Sequence, residues 1–275
     1  MRLQDLHTHS FYDDGSDSLE QMVRAAMEKR LSAVGLSVHS PIAGQTDWTA
    51  RPDVLPDFVK EAGRLAEVFR ERITVYCGIE YDLRSTLDLS GFDYVIGSLH
   101  AICAPGGAFD VDNTAELAAS GIRSCFSGDA DAAAEAYFAQ YRAMAEDPRI
   151  DIVGHFDLLT KYDEKNGLYD DGSPRFLDAA YAAMELLVKA GKIFELNSGA
   201  ISRGYRTSPY PSKLLLRRLR ELDGKILLSS DAHSAAGVGF FFREMLEIAK
   251  QCGFSELWQL KKGRFVPMPI HLFQV

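Results

Sequence analysis

Short runs of apolar, β-branched residues recur along the chain, most of them separated by stretches whose apolar residues fall three and four apart. The runs Leu3–Leu6, Ala33–Val38, Ile73–Ile79, Tyr94–Leu99, Ile150–Gly154, Ile193–Leu196 and Ile226–Ser229 predict seven strands. The first helical stretch is the clearest. Leu19, Met22, Val23 and Ala26 lie on one face, and Asp17 followed by Glu20 reads as a capping-box-like start. Val54–Phe69, Asp131–Ala145, Phe176–Ala190, Ser212–Leu222 and Phe241–Cys252 show the same spacing. Pro211 suits the first residue of its helix, and Gly191 and Gly224 suit helix C-termini. Two places resist this scheme. Glu80 to Phe92 is short for a crossover helix, and Ala101–Gly128 is a long Gly/Ser/Ala-rich excursion.

Repeated βα units predict a parallel sheet, open or closed. The polar residues choose between the two. His7 and His9 follow the first strand, with Asp14 just beyond; His39 follows the second, Glu80 the third, His100 the fourth and His155 the fifth. Asp231 and His233 follow the seventh. An open sheet gathers ligands at one switch point, from neighbouring strands. Six contributing strand ends require a closed barrel, whose site lies at the C-terminal face of the strands.

Imidazole and carboxylate donors without cysteine suit Zn²⁺, Mn²⁺ or Fe²⁺. Nine candidate ligands exceed what one ion can use, so two or three ions sharing a carboxylate are expected. Clustered ions can generate a nucleophile from water and clamp the oxygens of a phosphoryl transfer. A single histidine after a strand is more often structural, and His39 or Glu80 alone would carry no such inference. The H-x-H pair at His7 and His9 is different, because alternation puts both rings on one side. The D-x-H pair at Asp231 and His233 repeats that geometry. His271, in the C-terminal tail, falls outside the pattern and reads as structural or exposed.

Composition narrows the setting. The 275 residues are 47% hydrophobic and 25% charged, without repeat or linker, and read as one domain over 1–275. No apolar run approaches a membrane span and the N-terminus lacks a signal-peptide core, so a cytoplasmic location is expected. Cys77, Cys103, Cys125 and Cys252 have no framework spacing and read as reduced thiols. A net charge of −9 with no basic run argues against a grip on long nucleic acid. A barrel of this size is expected to act as a monomer.

The string D-L-H-T-H-S with Asp14-Gly15, then Glu80, His100, His155 and S-D-A-H, resembles the polymerase and histidinol phosphatase (PHP) superfamily from His7 to His233. V-G-H-F-D-L-L around His155, and E-L-N-S-G followed by Arg203 and Y-P-S, are similar to its histidinol-phosphate phosphatases. The resemblance implies a distorted (β/α)7 TIM-like barrel with a trinuclear site. One ion would take His7, His9, Glu80 and Asp231; a second would share Glu80 and add His100 and His155. A third would take Asp14, His39 and His233. Many relatives carry histidine where this chain has Asp14, and Asp13 is a neighbouring alternative. For the phosphate, the resemblance implies Lys161 (with Thr160 where arginine is common) and Arg203, with Arg206 nearby.

The expected activity is hydrolysis of a small phosphate monoester, L-histidinol phosphate in histidine biosynthesis, by attack of a metal-bridging hydroxide across Glu80. The leaving alkoxide would take a proton from a metal-bound water, Asp231 or His233. The organic part would meet acidic or aromatic residues of Ala101–Gly128, or Tyr162, Asp163 and Glu164. An alternative is a PHP phosphodiesterase or exonuclease acting on nucleotides or short single strands, which needs the same metals but an open, basic rim. A non-catalytic metal-binding module would have lost ligands, and none of the nine is missing.

Overall fold

A computed structural model describes residues 1–104 and 107–273. All seven predicted strands are present, as β1 (Gln4–Asp5), β2 (Ala33–Leu36), β3 (Thr74–Asp82), β4 (Tyr94–Ser98), β7 (Ile152–Val153), β8 (Ile193–Asn197) and β9 (Lys225–Ser229). They pair in parallel in the order β1-β2-β3-β4-β7-β8-β9. Just beyond β9 and β1, His9 N donates to Ala232 O at 2.7 Å and Ala232 N donates to His7 O at 3.2 Å. These bonds draw the last strand to the first, and helices surround the resulting barrel.

Two antiparallel hairpins escaped the sequence pattern. β5 (Ala101–Ala104) and β6 (Gly107–Asp110) form one inside the long excursion, whose Pro105 and Gly106 lie outside the described residues. β10 (Glu256–Lys261) and β11 (Arg264–Pro269) form the other. The second packs beneath the barrel: Leu260 N donates to the Gln4 side chain, and Gln4 Nε2 and Tyr76 OH both donate to Leu260 O.

The helices are α1 (Leu19–Glu28), α2 (Leu55–Phe69), α3 (Ala115–Phe126), α4 (Ala130–Ala139), α5 (Tyr141–Glu146), α6 (Asp163–Asn166), α7 (Pro174–Lys189), α8 (Gly199–Ser202), α9 (Lys213–Glu221) and α10 (Phe242–Gln251). Local readings need four corrections. The capping box of α1 is Ser18 with Gln21, and Asp17 instead accepts Ala235 N at 2.8 Å. The stretch Asp131–Ala145 is two helices meeting at Gln140, whose amide donates to Ala101 O of β5. Ser212 stands at the N-cap position of α9, without a side-chain capping bond, and leaves Pro211 before the helix. After α9 the left-handed residue is Asp223 (φ 55°), whereas Gly224 is required by close packing on Leu219. Gly191 does take the left-handed position after α7.

Alternation along the strands builds two cores. Phe194, Leu196, Ile226, Leu228, Val95 and Val153 pack outward with the helices. Tyr94, Ile96, Ile152, Ile193 and Leu227 point into the barrel and meet Leu260 of the lower hairpin. Higher on the same inward rows, every second residue turns polar: Glu80 and Asp82 on β3, Glu195 and Asn197 on β8. The apolar floor fills the barrel, and the polar tier above it lies at the C-terminal ends of the strands.

Candidate metal centre

The strand ends bring all nine predicted side chains to one place. Glu80 is the hub. Its Oε2 lies 3.0 Å from His7 Nε2, 3.3 Å from His9 Nε2 and 2.9 Å from His39 Nδ1. Its Oε1 lies 2.8 Å from His155 Nε2 and 3.3 Å from His100 Nε2. Asp231 Oδ1 approaches the same first pair, 3.8 Å from His7 Nε2 and 3.6 Å from His9 Nε2. Asp14 Oδ1 lies 3.3 Å from His233 Nε2 and 3.7 Å from His39 Nε2. Donor atoms fall into three overlapping groups: His7, His9 and Glu80; His39, Glu80 and His100; His9, Asp14, His39 and His233. His39 therefore leans on Glu80 as well as on Asp14, which the expected allocation did not include.

Whether cations fit is decided by unpartnered atoms. His7 Nε2, His9 Nε2 and Glu80 Oε2 are buried and have no hydrogen-bond partner, although the ring nitrogens and the carboxylate oxygen are close. Burying such groups without a partner is costly. Imidazole nitrogens and carboxylates that converge without bonding one another suit cations held among them.

Electrostatics point the same way. Burial opposes charge on His7, but Glu195, Glu80 and Asp231 outweigh it and hold its pKa well above the ordinary value. Burial likewise opposes charge on His9, and Asp13 and Glu80 push it up to about 10. Burial would raise Glu80, yet His39, His7 and His100 hold it well below the usual carboxylate range. The same reversal holds for Asp231, through Arg203 and His7. The site is built to retain positive charge.

Behind the histidines stands a row of carboxylates. Asp13 Oδ2 accepts from His9 Nδ1 at 2.7 Å and from His39 N at 2.9 Å, and its Oδ1 accepts from Ser10 N. Asp13 is thereby fully used, while Asp14 faces the cavity. Asp82 Oδ2 bonds His100 Nδ1 at 3.0 Å and is itself paired with Arg84. Glu195 Oε1 bonds His7 Nδ1 at 2.7 Å. Such partners fix the ring tautomer and aim Nε2 inward. Sequence reading missed the roles of Asp82 and Glu195; the available signal was their two-residue spacing from Glu80 and Asn197 on inward strand faces.

The centre opens into a cavity of about 200 Å³. Lys161 and Arg203 line it, together with Asp47, Trp48, Asp110, Asp112 and Asn113. Arg203 Nη2 lies 3.1 Å from Asp231 Oδ2, and its Nη1 lies 3.1 Å from the His233 ring nitrogens. Lys161 Nζ donates to Asp112 O at 2.7 Å. Arg206 is not part of the lining. Its guanidinium lies over Tyr210, 4.6 Å from the ring centroid, and bonds Thr160 and Ser208. Thr160, which stands where arginine is common in the phosphatases the chain resembles, is the partner that holds it. Of the residues considered for the organic part, Tyr162, Asp163 and Glu164 are also absent from the lining: Glu164 binds Thr207 and Asp163 binds the Leu168 and Tyr169 amides. His271 is exposed.

Among the described residues, no helix is long and apolar enough to cross a membrane. The family profile described as "PHP domain" matches residues 5–199. A Deinococcus radiodurans protein named "Probable histidinol-phosphatase" is 27% identical over 91% of this chain and 94% of its own length. A Lactococcus lactis "Histidinol-phosphatase" is 26% identical over 94% of both chains. The crystal structure of Lactococcus lactis histidinol phosphate phosphatase, complexed with zinc, L-histidinol and phosphate, superposes with a TM-score of 0.74 at 20% identity. That match covers 96% of this chain and 99% of the other.

Proposed function

The chain belongs to the PHP domain family, and from that premise we propose that it is a metal-dependent phosphate monoesterase. Its substrate is L-histidinol phosphate, hydrolysed to L-histidinol and phosphate in histidine biosynthesis. The observation that carries this reading is the make-up of one cavity. A buried His/carboxylate cluster, two cationic side chains (Lys161 and Arg203), three acids (Asp47, Asp110 and Asp112) and Trp48 share its walls. A dianionic phosphate needs the first two features, and a cationic, imidazole-bearing alcohol suits the last two. The names of the two relatives, and the molecules bound in the Lactococcus structure, support the same substrate.

His7, His9, Glu80 and Asp231 would hold one divalent ion, Glu80 with His100 and His155 a second, and Asp14, His39 and His233 a third. Zinc, manganese and iron all suit these donors. When bound, such ions supply Lewis acidity, which makes water nucleophilic at neutral pH and offsets charge on phosphoryl oxygens. The chain's own residues do the rest. Arg203, beside Asp231 and His233, presents a forked donor to the phosphoryl oxygens. Lys161, anchored on Asp112 O, adds a point charge on the same cavity wall. The proton that the leaving alkoxide needs can reach it through Asp231 or His233, which lie side by side next to Arg203.

The test is phosphate release by the Mn²⁺-loaded protein from L-histidinol phosphate, beside an aryl phosphate and a short oligonucleotide. Strong preference for histidinol phosphate, lost on chelation, is expected. Release of mononucleotides from the oligonucleotide, with no activity on monoesters, would overturn the monoesterase in favour of a phosphodiesterase.

A further inference from the structure

β8 is the one barrel strand that supplies none of the nine candidate ligands, yet it places an ionisable side chain at the centre of the polar tier. Glu195 is 1% exposed. Its Oε1 bonds His7 Nδ1 at 2.7 Å; its Oε2 accepts from His155 N at 3.1 Å and from Asn197 Nδ2 at 2.9 Å. The direction of the last bond is set by Gly199 N, which donates to Asn197 Oδ1 at 2.8 Å. Among the described residues, no lysine or arginine pairs with Glu195. A buried carboxylate needs compensation, and here it comes from the Asn197 amide and from two groups that face the metal centre: the His7 ring just after β1 and the His155 backbone just after β7.

We propose that Glu195 is a positioning residue of the metal centre, which fixes the His7 tautomer and the placement of His155 through its two oxygens. An ionised carboxylate only accepts, so His7 must donate from Nδ1 and keep Nε2 free of its proton when a cation is held there. His7 Nε2 is the atom aimed at Glu80 and Asp231. Glu80 and Glu195 thus hold one imidazole from opposite ends, one through the metal position and one through a hydrogen bond. A glutamine at this position cannot reproduce the pattern. With its oxygen toward His7, its NH2 opposes His155 N–H and the Asn197 amide. Turned over, the NH2 opposes His7 Nδ1 and drives the ring proton to the metal-facing nitrogen.

This inference rests on the metal-site reading but not on the identity of the substrate. The experiment compares wild type and Glu195→Gln by chelator competition for Zn²⁺ and by the visible spectrum of the Co²⁺-loaded protein, with circular dichroism to verify the fold. The variant is expected to lose ~10–100-fold in affinity for at least one ion and to show an altered Co²⁺ spectrum. Wild-type affinity and spectrum in a folded Glu195→Gln protein would overturn the proposal. Should the variant not fold, ¹⁵N-histidine NMR of the Zn²⁺-loaded wild type decides. His7 is expected as the Nδ1–H tautomer with a strongly downfield proton, and protonation at Nε2 would overturn the assignment. Metal loss in the variant alongside a wild type inactive on histidinol phosphate would leave the positioning role standing and remove the substrate.

Discussion

Arg203 and Arg206 sit three residues apart and were drawn to the phosphate by the same sequence argument, yet their surroundings separate them. Arg203 is a third exposed and reaches the cavity between Asp231 and His233. Arg206 is 7% exposed and spends its donors on Thr160 and Ser208. Arg203→Met is expected to lower kcat/KM for histidinol phosphate ~100-fold, as loss of one preorganised donor to developing charge does, with little change in melting temperature. Arg206→Met is expected to do the opposite, costing ~2 kcal/mol by leaving buried polar partners unpaired while kcat/KM stays close to wild type. Steady-state kinetics and urea unfolding on both variants check this. Apart from Asp14, the metal-site candidates could be recognised in the sequence because each sits just past the end of an apolar run, where their position needs no knowledge of neighbours. The use of Asp13, Asp82 and Glu195 could not be read that way. Asp13 acts on His9 from within the same loop, but Asp82 and Glu195 act through histidines on other strands, and only the folded geometry brings Glu195 to His7, 188 residues away in sequence.

At the level of elements, the strands were visible as short continuous apolar runs and most helices by a regular hydrophobic period. The hairpins were not. β5 and β6 are four residues each inside a Gly/Ser/Ala-rich stretch, and β10 and β11 mix apolar residues with charges and prolines, so none of them stands out as an apolar run. Helix ends were misread by one or two residues where two cap residues compete, as at α1. There Ser18 adopts the extended cap conformation and exchanges bonds with Gln21, which frees Asp17 to tie the loop after His233 to the start of the helix. Ser18→Ala is expected to cost ~1 kcal/mol in urea unfolding. Because the cap lies outside the cavity lining, kcat should hold at its wild-type value. A fall in kcat larger than the loss in stability would show instead that the α1 terminus transmits to Asp14.

For the whole molecule, the apolar floor and polar tier of the barrel divide the stabilising work. The floor closes on the lower hairpin without help, but the tier concentrates Glu80, Asp231, Asp14, Asp82, Asp13 and Glu195 around histidines, in a chain already at −9. Binding of divalent ions is therefore coupled to folding: at 100-fold excess over Kd each ion adds ~2.7 kcal/mol, worth several degrees in a chain of this size. The coupling has a definite pH sign. In the chelated protein, protonated His9 substitutes for a cation. Its folded pKa of about 10 lies above the ordinary 6.5, so that contribution is complete below 6.5 and is lost as pH rises through 10. Metal binding runs the other way, since ligands must shed protons to coordinate. The gap in melting temperature between Zn²⁺-loaded and chelated protein should therefore widen from pH 6 to pH 9, as read by paired thermal scans. A gap that narrows over that range would mean that the imidazoles do not exchange protons for metal, and that the polar tier is held together by ion pairs alone.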